Sequence, residues 1–234
     1  AGVTLSIEPE VVVHFAPGSS LKVHGAISAQ GTEDAPIALT APSGSWSLHL
    51  DAGSLSSTFR WVEFEHLSTL RDDSKNPLTF SDSVVKDSDR GILVSGGTLF
   101  LERARFERIL DAAVELSYGS TATLAQVTLH NVDFGIQIYQ NSHASISDFI
   151  AEGVSSQVIA VYVGSSARVA SSTIRSISDS SGAVMTFVQS SIEMRDARFD
   201  TISDGPALAV YDQSSLTVQD ATITNTDAFD AIEV

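Results

Sequence analysis

The sequence has no cysteine, only 6 prolines, and 13 lysines and arginines against 29 aspartates and glutamates. Without cysteine there is neither a disulfide framework nor a thiolate metal site. The formal charge of −16 disfavours binding to nucleic acid and to anionic membranes. No apolar run approaches the roughly 18 residues that a membrane-spanning helix needs. We therefore expect neither nucleic-acid binding nor membrane insertion.

What the chain does have is a short motif that recurs: a small residue, an aliphatic residue, any residue and a second aliphatic residue. The steps between copies are 22, 22, 25, 23, 24 and 24 residues. Each copy alternates apolar and polar residues, which is typical of a strand with one buried face. The first aliphatic residues of the copies are read as Ile92, Val114, Ile136, Val161, Val184, Leu208 and Ile232.

A second apolar track runs between the copies of the first and has nearly the same period. Its steps are 21, 23, 22, 23, 25 and 24 residues. Because two separate tracks share one period, the period reflects a structural repeat. The second track begins at Leu78, Leu99, Ala122, Ala144, Ala167, Ile192 and Leu216.

These repeats predict an all-β solenoid. Two or three short strands per repeat, no helical periodicity and no hexapeptide period favour a single-stranded right-handed parallel β-helix. The expected solenoid has about 8–10 coils of 21–25 residues. In this register Ile136 and Ile138 point inward and Gln137 points outward.

The opening of the chain resembles a known family. The segment 2–41 carries Glu8-Pro9, a valine-rich strand at 11–13 and Gly31-Thr32, followed by Pro36-Ile37. It is similar to the first coils of right-handed β-helix modules in bacterial secreted and cell-surface proteins, which share their fold with pectin lyases. The resemblance implies that fold rather than any activity. Glu10 departs from the family pattern, in which this position is usually glycine.

One domain, 1–234, is expected because no linker interrupts the repeats. Residues 1–45 form opening coils with an N-terminal cap. Residues 46–90 form less regular coils, with a polar loop at 71–76. Residues 91–234 form the most regular coils.

The segment Asn225-Thr226-Asp227 resembles the catalytic carboxylate motif of polygalacturonase-like hydrolases. Inverting hydrolysis needs two separated carboxyl groups. Here no Gly-His pair follows, and the Asp72-Asp73 pair lies upstream. Asn225 also matches Asn131 in the repeat, so the segment is interpreted as a structural turn and no catalytic residue is assigned.

A metal site is not expected, although one weak calcium site is considered. Asp196 and Asp220 fall one coil apart in the second track, where a cation would relieve their repulsion. The alternative is that both side chains point into water, and this alternative is favoured. The six histidines show no spacing typical of metal ligands. No cofactor is expected.

A binding surface is predicted where outward positions are apolar or aromatic. Such residues can stack on sugar rings or bury against a partner. The alternative is that loops cover them. The residues concerned are Leu93, Tyr162 and Met185 at the outward position of the first track, and Tyr139 and Tyr211 just after it.

The leading hypothesis is a non-enzymatic extracellular module, secreted or on a bacterial cell surface. It would serve as a stiff, adhesin-like stalk or display surface that binds glycan or protein. A lyase or hydrolase of acidic polysaccharide is the alternative, and an ice-binding face is a third. We also expect self-association or a flanking domain at the C-terminal coil, through Phe229, Ile232 and Val234.

Overall fold

The computed structural model describes residues 2–178, 181–226 and 231–234. Its regular structure consists of short strands, and no helix occurs among the described residues. The strands are β1 (Thr4–Ile7), β2 (Val12–His14), β3 (Ser20–Val23), β4 (Ala26–Gln30), β5 (Ile37–Thr40), β6 (Trp46–Leu50), β7 (Ser57–Arg60), β8 (Val62–Glu65), β9 (Leu67–Asp72), β10 (Pro77–Ser81), β11 (Val84–Ser88), β12 (Ile92–Ser95), β13 (Thr98–Glu102), β14 (Arg105–Ser117), β15 (Thr121–Ala125), β16 (Thr128–Ile138), β17 (His143–Glu152), β18 (Ile159–Tyr162), β19 (Ser166–Ser178), β20 (Val184–Phe187), β21 (Ser191–Ser203), β22 (Leu208–Val210), β23 (Ser215–Gln219), β24 (Thr222–Thr226) and β25 (Ile232–Glu233).

The strands wind into a right-handed parallel solenoid of about 10 coils with three faces. Face A contains β1, β4, β7, β10, β13, β15, the first parts of β17, β19 and β21, and β23. Face B contains β2, β5, β8, β11, the first parts of β14 and β16, the second parts of β17, β19 and β21, and β24. Face C contains β3, β6, β9, β12, the second parts of β14 and β16, and β18, β20, β22 and β25. Coil 1 starts at β1, and each later coil starts at the next face A strand.

The predicted register of the second track is confirmed. Leu78 pairs with Leu99, and each later residue of the track pairs with the next as far as Leu216. The first track is confirmed except in coil 7, where Ile136 pairs with Ile159 rather than with Val161. The predicted register was wrong there by two residues, because apolar residues stand at both positions.

The interior of the solenoid is a continuous apolar core. Ile136 and Ile138 are both 0% exposed, which confirms their inward phase. In the first coils the core is aromatic: Phe15 stacks on Trp46 with ring centroids 3.9 Å apart, and Phe59, Phe64 and Phe80 form a cluster. Rings and aliphatic side chains therefore fill the same inner columns in different coils.

The corners between faces are single residues with left-handed backbone. Between faces A and B such residues recur in every coil from Trp61 in coil 3 to Asp220 in coil 10, each with φ between 51° and 56°. Glu10, which replaces the glycine usual in similar proteins, also has a positive φ of 66°. Glycine adopts this conformation without steric cost.

Two further predictions concern turns. Asn131 and Asn225 are equivalent, since both have left-handed φ near the end of face B, and the Asn225 amide donates to Asp200 Oδ1 at 2.7 Å. The polar loop expected at 71–76 is shorter, because Arg71 and Asp72 end β9. No described helix is long and apolar enough to cross a membrane.

Candidate functional site

Four aromatic side chains stack at the corner where face C leads into face A. Tyr139 and Tyr162 have ring centroids 4.7 Å apart, Tyr162 and Phe187 5.0 Å, and Phe187 and Tyr211 4.8 Å. The planes differ by only 10°, 3° and 16°. We call this set the aromatic ladder. The predicted Tyr139, Tyr162 and Tyr211 all belong to it, and Phe187 was missed.

The ladder geometry changes the predicted role of these rings. Each inner ring has a neighbour on both faces, so its faces are occupied and only its edge reaches the surface. Tyr139 is half-buried, its hydroxyl donates to Gln137 Oε1 at 3.0 Å, and burial raises the pKa of that hydroxyl. Sugar stacking needs a free ring face. The inner rings Tyr162 and Phe187 therefore stabilise the coil stack rather than offering free faces to sugars, and ligand binding at the end rings Tyr139 and Tyr211 stays a prediction.

Two other predicted binding residues lie apart from the ladder. Met185 is only 2% exposed, so it is not on an exposed face as predicted. The turn at Gly182 lies against the side chains of Met185, Ala209 and Pro206. Leu93 is half-buried on face C in coil 4, where it lines a small depression of about 310 Å³ with Arg71 and Leu110.

Beneath the same corner runs a column of serines that are buried except for the last one. In each step the hydroxyl of one serine accepts the backbone N–H of the serine one coil earlier, at 3.1–3.3 Å. At the corner these buried backbone N–H groups do not donate to a carbonyl of the β-sheet, and the serine hydroxyls accept their hydrogen bonds instead. We call this column the serine ladder; it consists of Ser120, Ser142, Ser165, Ser190 and Ser214.

The outer surface of face A holds a long groove over coils 6–10, with polar outward side chains above an apolar floor. One part of about 640 Å³ and a second of about 470 Å³ share Ser145, Arg168 and Glu193, so they are continuous. The parallel register stacks outward side chains in columns along this groove. The outward lining residues are Thr121, His143, Ser145, Ser147, Ser166, Arg168, Ser191, Glu193, Arg195, Thr217 and Gln219.

The charges of the groove are two arginines and one carboxylate. Arg168 Nε donates to Glu193 Oε2 at 3.0 Å across neighbouring rungs. Arg195 is exposed, and within the described ranges no carboxylate pairs with it. In a chain of formal charge −16, the groove thus presents an unpaired guanidinium.

Hydroxyl groups occupy most of the remaining lining. Thr98 and Thr121 hydroxyls lie 3.1 Å apart, and His143 Nδ1 lies 2.8 Å from Ser166 Oγ. Such contacts between neighbouring coils fix the side chains while each hydroxyl keeps further hydrogen-bonding capacity. The groove is a row of donors and acceptors, which suits a ligand rich in hydroxyl groups.

The two aspartates considered as calcium ligands border this groove. Asp196 and Asp220 are exposed and hold successive left-handed corners between faces A and B, one residue beyond Arg195 and Gln219. The part of the chain that the structure describes contains no cluster of three or more His, Asp or Glu side chains fit for a metal ion. Asp227 of the hydrolase-like segment lies outside the described residues.

Among the residues that the structure describes, the groove lining holds one carboxylate, Glu193, which is paired with Arg168. Glycoside hydrolysis by two carboxyl groups would need a second one. A second carboxylate near Glu193 would have to come from the corner column that includes Asp148, Asp196 and Asp220. The lining itself can bind, orient and hydrogen-bond a chain of sugars.

Sequence reasoning missed this groove because its residues are individually ordinary. Serine is abundant throughout the chain, and only the three-dimensional register separates outward serines from the buried serine ladder. One signal was present: the tetrapeptides at 139–142, 162–165, 187–190 and 211–214 all begin with an aromatic residue and end with serine. This motif marks the corner that precedes the groove in each coil.

None of the curated proteins matches the chain in sequence. Among solved structures, the pectate lyase Pel9A is 12% identical with a TM-score of 0.42, and the match covers 95% of this chain and 71% of the lyase. The Agl-KA catalytic domain is 12% identical with a TM-score of 0.49, covering 97% and 62%. The catalytic domain of a GH87 α-1,3-glucanase is 10% identical with a TM-score of 0.42, covering 99% and 64%.

This chain thus spans less than two thirds of the length of the last two structures, and we take neither substrate nor activity from these likenesses. The family identity comes from sequence. The model of the right-handed β-helix region matches residues 90–233, well over half of the chain. Together with the ten stacked coils, this match shows that the chain belongs to the right-handed β-helix family.

Proposed function

We propose that this protein is a non-enzymatic, extracellular β-helix module that binds glycan in the groove of face A and presents it on a stiff rod. The observation that carries the proposal is the groove lining: many hydroxyls, one amide, an unpaired guanidinium and a single, paired carboxylate. Carbohydrate hydroxyls need such a row of donors and acceptors, since each buried polar group must find a partner.

The rod supports the role of a display surface. Each coil rests on its neighbours, so a ligand site that extends over several coils is held at fixed spacing by the backbone ladder. The inward side chains that support the groove, such as Ile146, Val169 and Met194, are almost completely buried. A groove on such a base needs little reorganisation to bind an extended chain.

Arg195 gives the groove a preference for anionic sugars. A guanidinium without a carboxylate partner can donate two parallel hydrogen bonds to a carboxylate or sulfate group. The acidic surface of the chain, with 29 aspartates and glutamates, disfavours polyanions elsewhere. The proposed ligand is therefore a glycan with occasional negative charges rather than a dense polyanion.

A second candidate function is a lyase or hydrolase of acidic polysaccharide. The observation that favours it is the column of exposed Asp148, Asp196 and Asp220 at the edge of a groove that contains two arginines. Against it stands the lining itself, in which Glu193 is paired with Arg168.

The test is binding and turnover on a panel of neutral and uronic-acid oligosaccharides, with and without Ca²⁺. We expect selective binding without products. Arg195→Ala should weaken binding of the anionic oligosaccharides about tenfold or more. The matched control is Arg198→Ala, which removes an exposed arginine from face B of the same strand and should leave binding unchanged. Shortened or unsaturated products would replace this proposal with the enzymatic one.

A further inference from the structure

Two exposed valines beside the groove have a left-handed backbone. Val163 has φ 54° and is 45% exposed, and Val188 has φ 52° and is 44% exposed. Left-handed φ is a genuine outlier for β-branched residues, because Cβ crowds the following carbonyl. Both positions retain valine although residues better suited to this conformation would fit there.

The neighbouring coils show what the fold alone accepts. Gln140 in coil 6 and Asp212 in coil 9 occupy the equivalent position, with φ 56° and 52°. The corner hydrogen bonds do not depend on the side chain, since Gly164 N–H donates to the Val188 carbonyl and Gln189 N–H to that of Asp212. Nothing in the corner requires an apolar, β-branched side chain.

The two valines form a short apolar edge next to the ligand groove. Val163 precedes Ser166 by three residues and Val188 precedes Ser191 by three, and both serines line the groove. Three residues of turn span less than about 10 Å. The valines stand outside the groove lining, at the corner that leads into it, where they border the end of the groove nearest to face C.

We infer that Val163 and Val188 are specificity-determining residues of the glycan site and select sugars that carry a methyl-bearing substituent, such as an acetyl group. This inference rests on the proposed glycan binding in face A. Conformational strain that the fold does not need points to a functional requirement at that position. The requirement that we infer is an apolar contact between the valines and a methyl group of the ligand. The valines are too exposed to contribute much to the core, so packing does not account for them.

The test uses two double variants and a pair of matched oligosaccharides. Val163→Asn with Val188→Asn relieves the strain, since asparagine tolerates left-handed φ. Val163→Thr with Val188→Thr keeps the branched Cβ and its strain but replaces a methyl group with a hydroxyl. Chitohexaose and cellohexaose share a β-1,4 backbone, and only chitohexaose carries acetyl groups.

We expect wild type to bind chitohexaose more tightly than cellohexaose. Both variants should lose about tenfold in chitohexaose affinity and little in cellohexaose affinity. The asparagine variant should also gain about 2–4 °C in Tm per relieved site, and the threonine variant should not. Gln140→Asn, at the same turn position, should change neither the affinity for chitohexaose nor Tm.

Equal binding of the two oligosaccharides by wild type, no binding of either, or variants that bind as wild type does would overturn this inference. The proposed function stays intact in each case if wild type binds another oligosaccharide of the panel. A protein that binds no oligosaccharide of the wider panel would instead remove the proposed function, and this inference with it. The Tm readout separates strain relief from a binding defect caused by misfolding.

Discussion

One position of the coil, the outward residue that ends face C, carries different chemistry in the two halves of the molecule. In coils 1–5 it is polar or charged, and in coils 6–9 it is a stacked ring. The residues are His24, Asp51, Asp73, Ser95 and Ser117 in the first half, and Tyr139, Tyr162, Phe187 and Tyr211 in the second.

Charged side chains are also common on the other faces of the first half. Coils 2–5 are joined by ion pairs between neighbouring rungs, among them Arg103 with Asp82, Arg108 with Asp87, and Lys86 with Glu63 and Glu65. Fewer such pairs join coils 6–10 within the described residues, and there the aromatic ladder adds stacked contacts at the corner between faces C and A. Both halves share the apolar core, but exposed ion pairs, which salt screens, add to the contacts between coils mainly in the first half.

The largest expected effect is the loss of an inner ring from the aromatic ladder. Phe187→Ala removes contacts with two stacked rings and should lower the free energy of unfolding by about 2–4 kcal/mol. Phe100→Ala is the matched control, since this ring is 40% exposed on face A and should cost less than about 1 kcal/mol. Denaturant unfolding measures both, and equal losses would deny the ladder a stabilising role.

The serine ladder should give the next largest effect. Ser165→Ala removes the hydroxyl that accepts the Ser142 N–H at 3.1 Å and leaves that buried donor unpaired. The expected loss is about 1–3 kcal/mol. Ser145→Ala, an exposed serine of the same face, should change stability by less than about 0.5 kcal/mol. A Ser165 variant as stable as wild type would mean that water replaces the hydroxyl.

A smaller effect is expected from the charges of the first half. Lys86 lies 3.0 Å from both Glu63 and Glu65, and its hydrogen bonds hold the pKa of Glu65 below its ordinary value. Lys86→Met should cost about 1 kcal/mol at low salt and less at high salt, because exposed pairs are screened. The cost of Phe187→Ala should not depend on salt. The same salt dependence for both variants would erase the contrast between the halves.

The smallest effect concerns a carboxyl group inside coil 3. Asp72 is 0% exposed, its Oδ2 has no hydrogen-bond partner among the described residues, and burial raises its pKa above 3.8. The folded state therefore binds the proton more tightly than the unfolded state, so this group lowers stability as pH rises from about 3.8 to its folded pKa.

Asp72→Asn should accordingly raise Tm at pH 7 and leave it nearly unchanged at pH 3. Asp82→Asn should do the opposite at neutral pH, because Arg103 lowers the pKa of Asp82 and the charged form stabilises the fold. Thermal unfolding from pH 3 to pH 7 measures both. A Tm of Asp72→Asn that falls at pH 7 would show that the charged carboxylate has a partner there.

The sequence predicted the solenoid and its inward columns because burial leaves two repeats in the pattern of apolar residues. Within a strand every second residue is apolar, and the same pattern returns after each coil. Leu78 and Leu99 illustrate this, since each inward residue stacks on the next. The same argument failed around Tyr162. Apolar residues stand on both sides of Tyr162, so the predicted strand register was wrong there by two residues. The structure resolves that shift through the pairing of Tyr162 with Phe187.

The candidate site was less predictable than the fold. Outward side chains that stack on one another in successive coils can be recognised in a sequence only when the turn lengths are known. Here the length of a coil varies from 21 to 25 residues. Burial of Met185 depends on a turn that contains Gly182, which no periodicity reveals. The secreted location and the association expected through Phe229, Ile232 and Val234 stay predictions; Phe229 lies outside the described residues, and Ile232 and Val234 are exposed.

The central claim is that the groove of face A binds a glycan and leaves it intact. The most direct measurement is calorimetric titration of the best-bound oligosaccharide into wild type and Arg195→Ala, followed by mass spectrometry of the ligand after prolonged incubation with excess protein. We predict saturable binding that weakens in the variant, with the ligand recovered at its original mass. Recovery of shortened or unsaturated oligosaccharide, dependent on Arg195, would contradict the claim.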